Sequence, residues 1–174
     1  MENGSGRLVS LNHLQQFKRF LLDKVVGWDR YFMDIAQAVS VRSKDPKTKV
    51  GSVIACSDNR IVSTGYNGFE ASADETFFKW SPTIKSKFVI HSEVNAILFA
   101  EELDIYLHRL DPTLYVTLCP CRDCASRIVN SGIRRVVMKE MRAEYKYFEA
   151  VHILLRANVK VHRIEEDGSC VEFL

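Results

Sequence analysis

The sequence predicts an α/β fold: a mixed sheet of about five strands covered by helices, with an extra helix on the N-terminal side. Two β-rich runs, Val50–Cys56 and Ile61–Thr64, flank the turn residues Ser57-Asp58-Asn59 and read as a hairpin. From Thr113 onward, strand-like and helix-like segments alternate. Short helical crossovers of that kind imply that the later strands run parallel. The length of 174 residues fits one compact domain, able to bury a core without disulfides.

The elements follow in order. Residues 1–7 contain Gly4, Ser5 and Gly6 and read as a flexible start. Ser10 then suits the cap of a helix over Leu11–Val26, with Leu14, Phe17, Leu21 and Val25 on one stripe and Gly27 as its break. A second helix is expected over Asp29–Arg42, with Phe32, Ile35, Ala36 and Val39 at helical spacing and Asp45-Pro46 as its stop. After the hairpin, Gly65-Tyr66-Asn67-Gly68 opens a long polar and aromatic loop reaching Phe88. His91–Glu102 reads as a helix with Val94, Ile97, Leu98 and Leu103 inward. Then come a strand over Thr113–Leu118, a helix over Cys121–Ser131 closed by Gly132, and a strand over Arg135–Lys139. A helix over Glu144–Ala157 and a strand over Val159–Ile164 complete the set. The chain thus divides into a start and extra helix (1–27), a main domain (28–165) and a tail (166–174).

Composition narrows the function classes. The apolar fraction of 47% and charged fraction of 26% are those of a soluble globular chain. A net charge of +2 neither advertises nor excludes nucleic acid as a partner. No apolar run approaches the ~18 residues of a membrane span, and the first ten residues lack the order of a secretion signal. The expected compartment is a reducing cytoplasm. Of five cysteines, Cys119, Cys121 and Cys124 crowd together, a poor disulfide framework but a good metal site.

Chemistry concentrates in His91-Ser92-Glu93 and Pro120-Cys121-Arg122-Asp123-Cys124. Cys121 and Cys124 are three apart at an expected helix start, so both sulfurs share one face. The unpaired N–H groups and the dipole of that helix end favour thiolate, the form that binds zinc. Alone, the pair reads as a redox pair, a structural half-site or chance. His91 adds a third ligand, and two sulfurs with one imidazole leave tetrahedral zinc an open corner for water. Zinc brings the pKa of such a water from ~15.7 toward ~7. Glu93, two residues from His91, points away from a shared ligand position on a regular helix. It is therefore the candidate proton carrier over the open corner. His-x-Glu followed by Pro-Cys-x-x-Cys is the zinc motif of nucleobase deaminases. Cys119 reads as a small buried apolar side chain. Arg42, Lys44, Lys47 and Lys49 form a basic cluster that fits a solvated surface as well as a phosphate contact. Asn67 fits a left-handed turn position. Phe77, Phe78 and Trp80 read as loop anchors.

Five blocks resemble the deoxycytidylate (dCMP) deaminases of the cytidine deaminase superfamily: Trp28-Asp29-Arg30-Tyr31-Phe32-Met33; Arg42-Ser43-Lys44-Asp45-Pro46 with Val50-Gly51; Gly65-Tyr66-Asn67-Gly68; His91-Ser92-Glu93-Val94-Asn95-Ala96-Ile97; and Leu114-Tyr115-Val116-Thr117 before Pro120-Cys121. The resemblance covers Trp28 to Ile164. It implies a three-layer cytidine deaminase-like fold and zinc-dependent hydrolysis of dCMP to dUMP and ammonia, supplying dUMP for thymidylate synthesis. It also implies a sugar contact for Asn67, a 5′-phosphate contact for Arg42, Ser43 and Lys44, and a homo-oligomer, often a hexamer. Regulation by dCTP with Mg2+ and by dTTP is implied too. Three departures stand out. Ser92 replaces the usual Ala. Phe69-Glu70-Ala71-Ser72 replaces a Pro- and Gly-containing segment near the regulator. The Leu11–Val26 helix is extra, and the stretch after Lys139 lacks a Tyr-His-Asp run. Rival readings are the same chemistry on dCTP or a 5-modified dCMP, an RNA- or DNA-editing deaminase, disfavoured by the near-neutral charge and the Gly-Tyr-Asn-Gly block, and a non-catalytic zinc module, disfavoured by Glu93.

Overall fold

The computed structural model describes residues 25–70, 73, 80–102, 107, 110–142 and 145–173. The helix expected over Leu11–Val26 lies outside them, apart from Val25 and Val26, which are not helical. Leu103, Phe77 and Phe78 also lie outside.

The hairpin forms from β1 (Gly51–Ala55) and β2 (Ile61–Tyr66), paired antiparallel with Gly51 opposite Tyr66. Strands β3 (Thr113–Leu118), β4 (Arg135–Glu140) and β5 (Lys160–Ile164) follow, and β3–β4 and β4–β5 are parallel as expected. The sheet has six strands in the order β2-β1-β3-β4-β5-β6, one more than the sequence reading counted. The addition is β6 (Cys170–Glu172), which folds back antiparallel on β5 from within the stretch read as a tail. Three residues are too few to show an alternating pattern, so this strand left no periodic signal.

Helix α1 (Trp28–Ser40) packs on one face of the sheet. Its buried side is Phe32, Met33, Ala36 and Ser40, while Ile35 and Val39, expected inward, are half-buried. The β1 backbone at Gly51 lies directly against Ala36 and Ser40, so that contact takes the small residues and turns the larger ones aside. The helix end tightens into i→i−3 bonds, Arg42 N–H to Val39 O at 3.1 Å and Ser43 N–H to Ser40 O at 3.0 Å. At its start, Asp29 receives Arg135 of β4 through two bonds of 2.6 and 2.8 Å, and the Tyr115 hydroxyl at 2.7 Å.

The other face carries α3 (Ser92–Glu102), α4 (Arg122–Ser131) and α5 (Tyr145–Arg156) over the larger core, which includes Ile54, Leu114, Val116, Ile128 and Leu154. Gly132 caps α4 in the left-handed region at φ 87°, the role its position predicts. On α3, Glu93, Ala96, Ile97 and Ala100 face inward and Leu98 is 42% exposed, against expectation. The cause is β2: Ser63 Oγ donates to Ala96 O at 2.7 Å, and a Cβ at Gly65 would collide with Ser92 O and Ala96 N. Strand and helix backbones meet on that side, leaving Leu98 on the far one.

The stretch up to Phe88, read as loop, contains a short helix α2 (Pro82–Phe88). Ser81 Oγ accepts the Ile84 N–H at 3.3 Å, the geometry of an N-cap, and proline is favoured at the first helical position. Among the described residues, no helix is long and apolar enough to cross a membrane.

Candidate active site

His91, Cys121 and Cys124 come from two helix starts that the sheet places side by side. His91 immediately precedes α3, and its carbonyl accepts the Asn95 N–H at 3.0 Å. Cys121 is the N-cap of α4, in extended conformation, and its carbonyl accepts the Ala125 N–H at 2.9 Å. Cys124 lies on the first turn, buried. His91 Nδ1 is 3.5 Å from Cys121 Sγ and 3.3 Å from Cys124 Sγ. The three ligand atoms all lie within 4.8 Å of one another.

That triangle has the size of a metal site. Tetrahedral zinc, with Zn–S about 2.3 Å and Zn–N about 2.0 Å, sets an N···S edge of about 3.5 Å. The protonation of the sulfurs points the same way. The Cys124 thiol donates to Cys121, and with the neighbouring His91 ring it holds the Cys121 thiol down at about 3. Cys124 is pushed up in turn, first by that hydrogen bond to Cys121 and then by burial. Two sulfur anions this close repel. A divalent ion is the group that lets both ionise.

Glu93 stands on the first turn of α3, only 3% exposed. Burial pushes its carboxyl up, against the lowering pull of His91 and Ser92. Its carboxylate also lies within hydrogen-bond reach of the Cys124 thiol. Ser92 Oγ donates to Glu93 Oε2 at 2.9 Å. His91 precedes α3, whereas Glu93 belongs to its first turn. Cys119 is buried in the main core, and burial pushes its thiol up to about 12, so it stays a neutral apolar side chain.

The remaining candidates sit in a second loop layer. Ser43 is buried and donates to Asn67 O at 2.8 Å, while Arg42 and Lys44 on either side are exposed. Asn67 is itself buried: its Oδ1 accepts the Val50 N–H at 2.8 Å, and its Nδ2 donates to Thr48 O at 3.0 Å and Asp45 Oδ2 at 3.3 Å. The Asn67 amide therefore staples the 45–50 loop to the end of β2. Gly68 and Ile90 exchange backbone bonds of 3.1 and 2.8 Å, which brings this layer to the residue before His91.

Sequence reading missed the residues that join these layers. Asp45, read only as a helix stop, accepts the Lys47 and Thr48 N–H groups at 2.9 and 3.1 Å and shapes the basic loop. Its Asx-turn signal, Asp followed by Pro, was present in the sequence. Asn95 donates to Tyr66 O at 2.8 Å, tying α3 to the Gly-Tyr-Asn-Gly turn. Ser52 meets Ser92 across the core at 2.8 Å, a pairing that no local pattern announces. Trp80 packs on buried Phe69 with ring centroids 4.7 Å apart, the anchor role expected of it.

Comparison with known proteins agrees with this geometry. Residues 26–140 match the family model for the cytidine and deoxycytidylate deaminase zinc-binding region. A probable deoxycytidylate deaminase of Caenorhabditis elegans is 39% identical over 137 residues, 76% of this chain and 68% of that protein. The human deoxycytidylate deaminase is 36% identical over 121 residues, 66% of either chain. The chain spans 58% to 68% of the length of these and the fly relative. The crystal structure of a dCMP deaminase from cyanophage S-TIM5 shares the fold with a TM-score of 0.65 at 22% identity, covering 78% of this chain and 96% of that one. With the motif blocks, the paired helix starts and these matches in agreement, the chain belongs to the cytidine and deoxycytidylate deaminase family.

Proposed function

We propose that the protein hydrolyses dCMP to dUMP and ammonia, with zinc held by His91 Nδ1, Cys121 Sγ and Cys124 Sγ. One observation carries the reading: three metal-ligating atoms converge within 4.8 Å beside a buried carboxylate, Glu93. Zinc held by these three residues would supply a water activated near neutral pH. Glu93 would take one proton from the attacking water and pass it to N3 as the oxygen joins C4 of the cytosine. It would then move the remaining hydroxyl proton from the C4 oxygen to the 4-amino group as the C4–N bond breaks, so that ammonia departs and the C4 carbonyl forms. A buried carboxyl with raised proton affinity suits a group that must hold a proton between two transfers.

Substrate contacts extend the reading. Arg42 and Lys44 are exposed on the loop tied to the Gly-Tyr-Asn-Gly turn, and they supply the charge for a 5′-phosphate. Ser43 and Asn67 shape that loop, and Asn67 lines the sugar. Residues 28–165 form the catalytic domain, in a reducing cytoplasm that suits five free cysteines. The dUMP produced feeds thymidylate synthesis. Exposed apolar side chains at Ile61, Leu98, Phe99 and Phe148 favour a homo-oligomer, a hexamer in the resemblance. Regulation by dCTP with Mg2+ and by dTTP belongs to the same proposal.

The test is loss of cytosine absorbance with zinc-loaded protein on dCMP, dCTP, deoxycytidine, CMP and single-stranded DNA, each with and without dCTP–Mg2+. Turnover is expected on dCMP, with deoxycytidine slower for want of a phosphate. Preference for single-stranded DNA would replace the substrate. Full zinc with no ammonia from any substrate would replace the enzyme with a binding module.

A further inference from the structure

Ser92 occupies the middle of the His-x-Glu motif, where alanine is usual. Its side chain is fully buried at 0% exposure, as is Ser52 of β1. The two hydroxyl oxygens are 2.8 Å apart, and Ser92 Oγ lies 2.9 Å from Glu93 Oε2. Counting hydrogens fixes the direction of the chain. A serine has one O–H to donate. With Glu93 ionised, Ser92 gives its own to the carboxylate, so the Ser52 hydroxyl donates to Ser92. The result is a one-way relay of orientation from β1 to the carboxylate: Ser52 to Ser92 to Glu93.

We propose that Ser92, oriented by Ser52, is a positioning residue that holds the Glu93 carboxylate in one conformer facing the His91–Cys121–Cys124 cluster. A glutamate has three side-chain torsions, and fixing them opposes its rotamer entropy. The carboxylate is buried, and Ser92 Oγ is the hydroxyl that reaches its Oε2. A hydroxyl pair also has little reason to sit in a core by itself, since replacing both partners with apolar groups is nearly neutral. Its acceptor gives it one. The close approach of β2 at Gly65 to Ser92 O fixes the backbone of this residue as well, so the hydroxyl is presented from a rigid base. The inference rests on Glu93 as proton carrier for its kinetic part only.

The experiment compares zinc-loaded wild type with Ser92→Ala, Ser52→Ala and the double variant. It measures kcat and KM for dCMP, zinc content, Tm and the crystallographic order of Glu93. Ser92→Ala should lower kcat about tenfold, the usual scale of a hydrogen bond to a charged group, with KM and zinc content unchanged. Its Glu93 carboxylate should spread over more than one conformer. Ser52→Ala should lower kcat less, and the double variant should be no worse than Ser92→Ala, because the two serines act in series. Ser52→Ala leaves the motif intact and carries the test if Ser92→Ala fails to fold. An unchanged kcat with a lowered Tm would make the pair merely structural and overturn the proposal, as would a single undisturbed Glu93 conformer in Ser92→Ala. If wild type deaminates no cytosine nucleotide, the functional reading falls by itself, while the order of Glu93 still decides the role of Ser92.

Discussion

At Asp29 a carboxylate meets a bidentate guanidinium from Arg135, a hydroxyl from Tyr115 and a thiol from Cys170; at His91 an imidazole meets two sulfurs and a buried carboxylate. The first joins a helix start to the sheet, and the second joins two helix starts. Their charges differ. The first balances one anion with one cation, and the guanidinium, hydroxyl and thiol all donate to the carboxylate. Arg135 accordingly holds the Asp29 carboxyl well below the usual range, and burial with Asp29 pushes the Tyr115 phenol up, so each group stays in its ordinary state. The second is anion-rich when ionised: two sulfurs and a carboxylate face one imidazole, and burial pushes the Glu93 carboxyl up. A balanced cluster is complete as folded, whereas an anion-rich one is built around a cation that the chain does not encode.

The largest effect should follow from removing a ligand. Cys124→Ala leaves one sulfur and one ring nitrogen, too few for a tetrahedral site with a single open corner. Zinc measured by atomic spectroscopy should fall from one equivalent to near zero, and ammonia release with it. Full zinc content in this variant would mean that the cluster is not the metal site.

Glu93→Gln should come next. It keeps the shape of the side chain and the zinc, but removes the proton carrier. The expected loss in kcat is roughly 10²–10⁴-fold at unchanged metal content. A rate within a few-fold of wild type would return Glu93 to the status of a buried structural carboxylate. Together the two variants separate holding the metal from moving the proton, which the anion-rich cluster is proposed to do with different residues.

How much of this contrast the sequence announced depends on the range of the signal. His91, Glu93, Cys121 and Cys124 were legible because helix starts bring them to one point: each pair is local, and only the packing of α3 on α4 had to be supplied. The hairpin, the parallel strands and the Gly132 cap were legible for the same reason. Leu98 was misplaced because Gly65 and Ser63, more than thirty residues away, decide which side of α3 is covered. The Ile35 and Val39 stripe shifted because Gly51 chooses the small residues of α1. Asp29 and Arg135 stand 106 positions apart, and neither carries a motif that names its partner.

The balanced cluster should answer mutation with stability and leave catalysis alone. Arg135→Ala strands a carboxylate whose side chain is only 28% exposed, too sheltered for water to replace both lost hydrogen bonds. A loss of about 2 kcal/mol, or a Tm lower by roughly 4–8 °C, is expected from hydrogen bonds to a charged group in a chain of this size. Zinc content and kcat at 25 °C should hold. A collapse of kcat without a fall in Tm would erase the distinction between the clusters.

The smallest effect is the most specific, because it reads the charge balance itself. The Asp29 carboxyl titrates lower in the folded chain than in the unfolded one, chiefly through the hydrogen bonds of Arg135. Above an unfolded-state pKa of about 3.9, both states carry the anion and the cluster contributes its full stability. As pH falls below that value, the unfolded chain takes up the proton first. The contribution therefore shrinks, and it vanishes only once the folded carboxyl is protonated too. Asp29→Asn has no such titration. With zinc removed from both proteins, the Tm gap between wild type and Asp29→Asn should be constant from pH 5 to pH 8 and narrow steadily below about pH 4. A gap that stays constant down to pH 3 would show that packing around Asp29, and not its charge, joins α1 to β4.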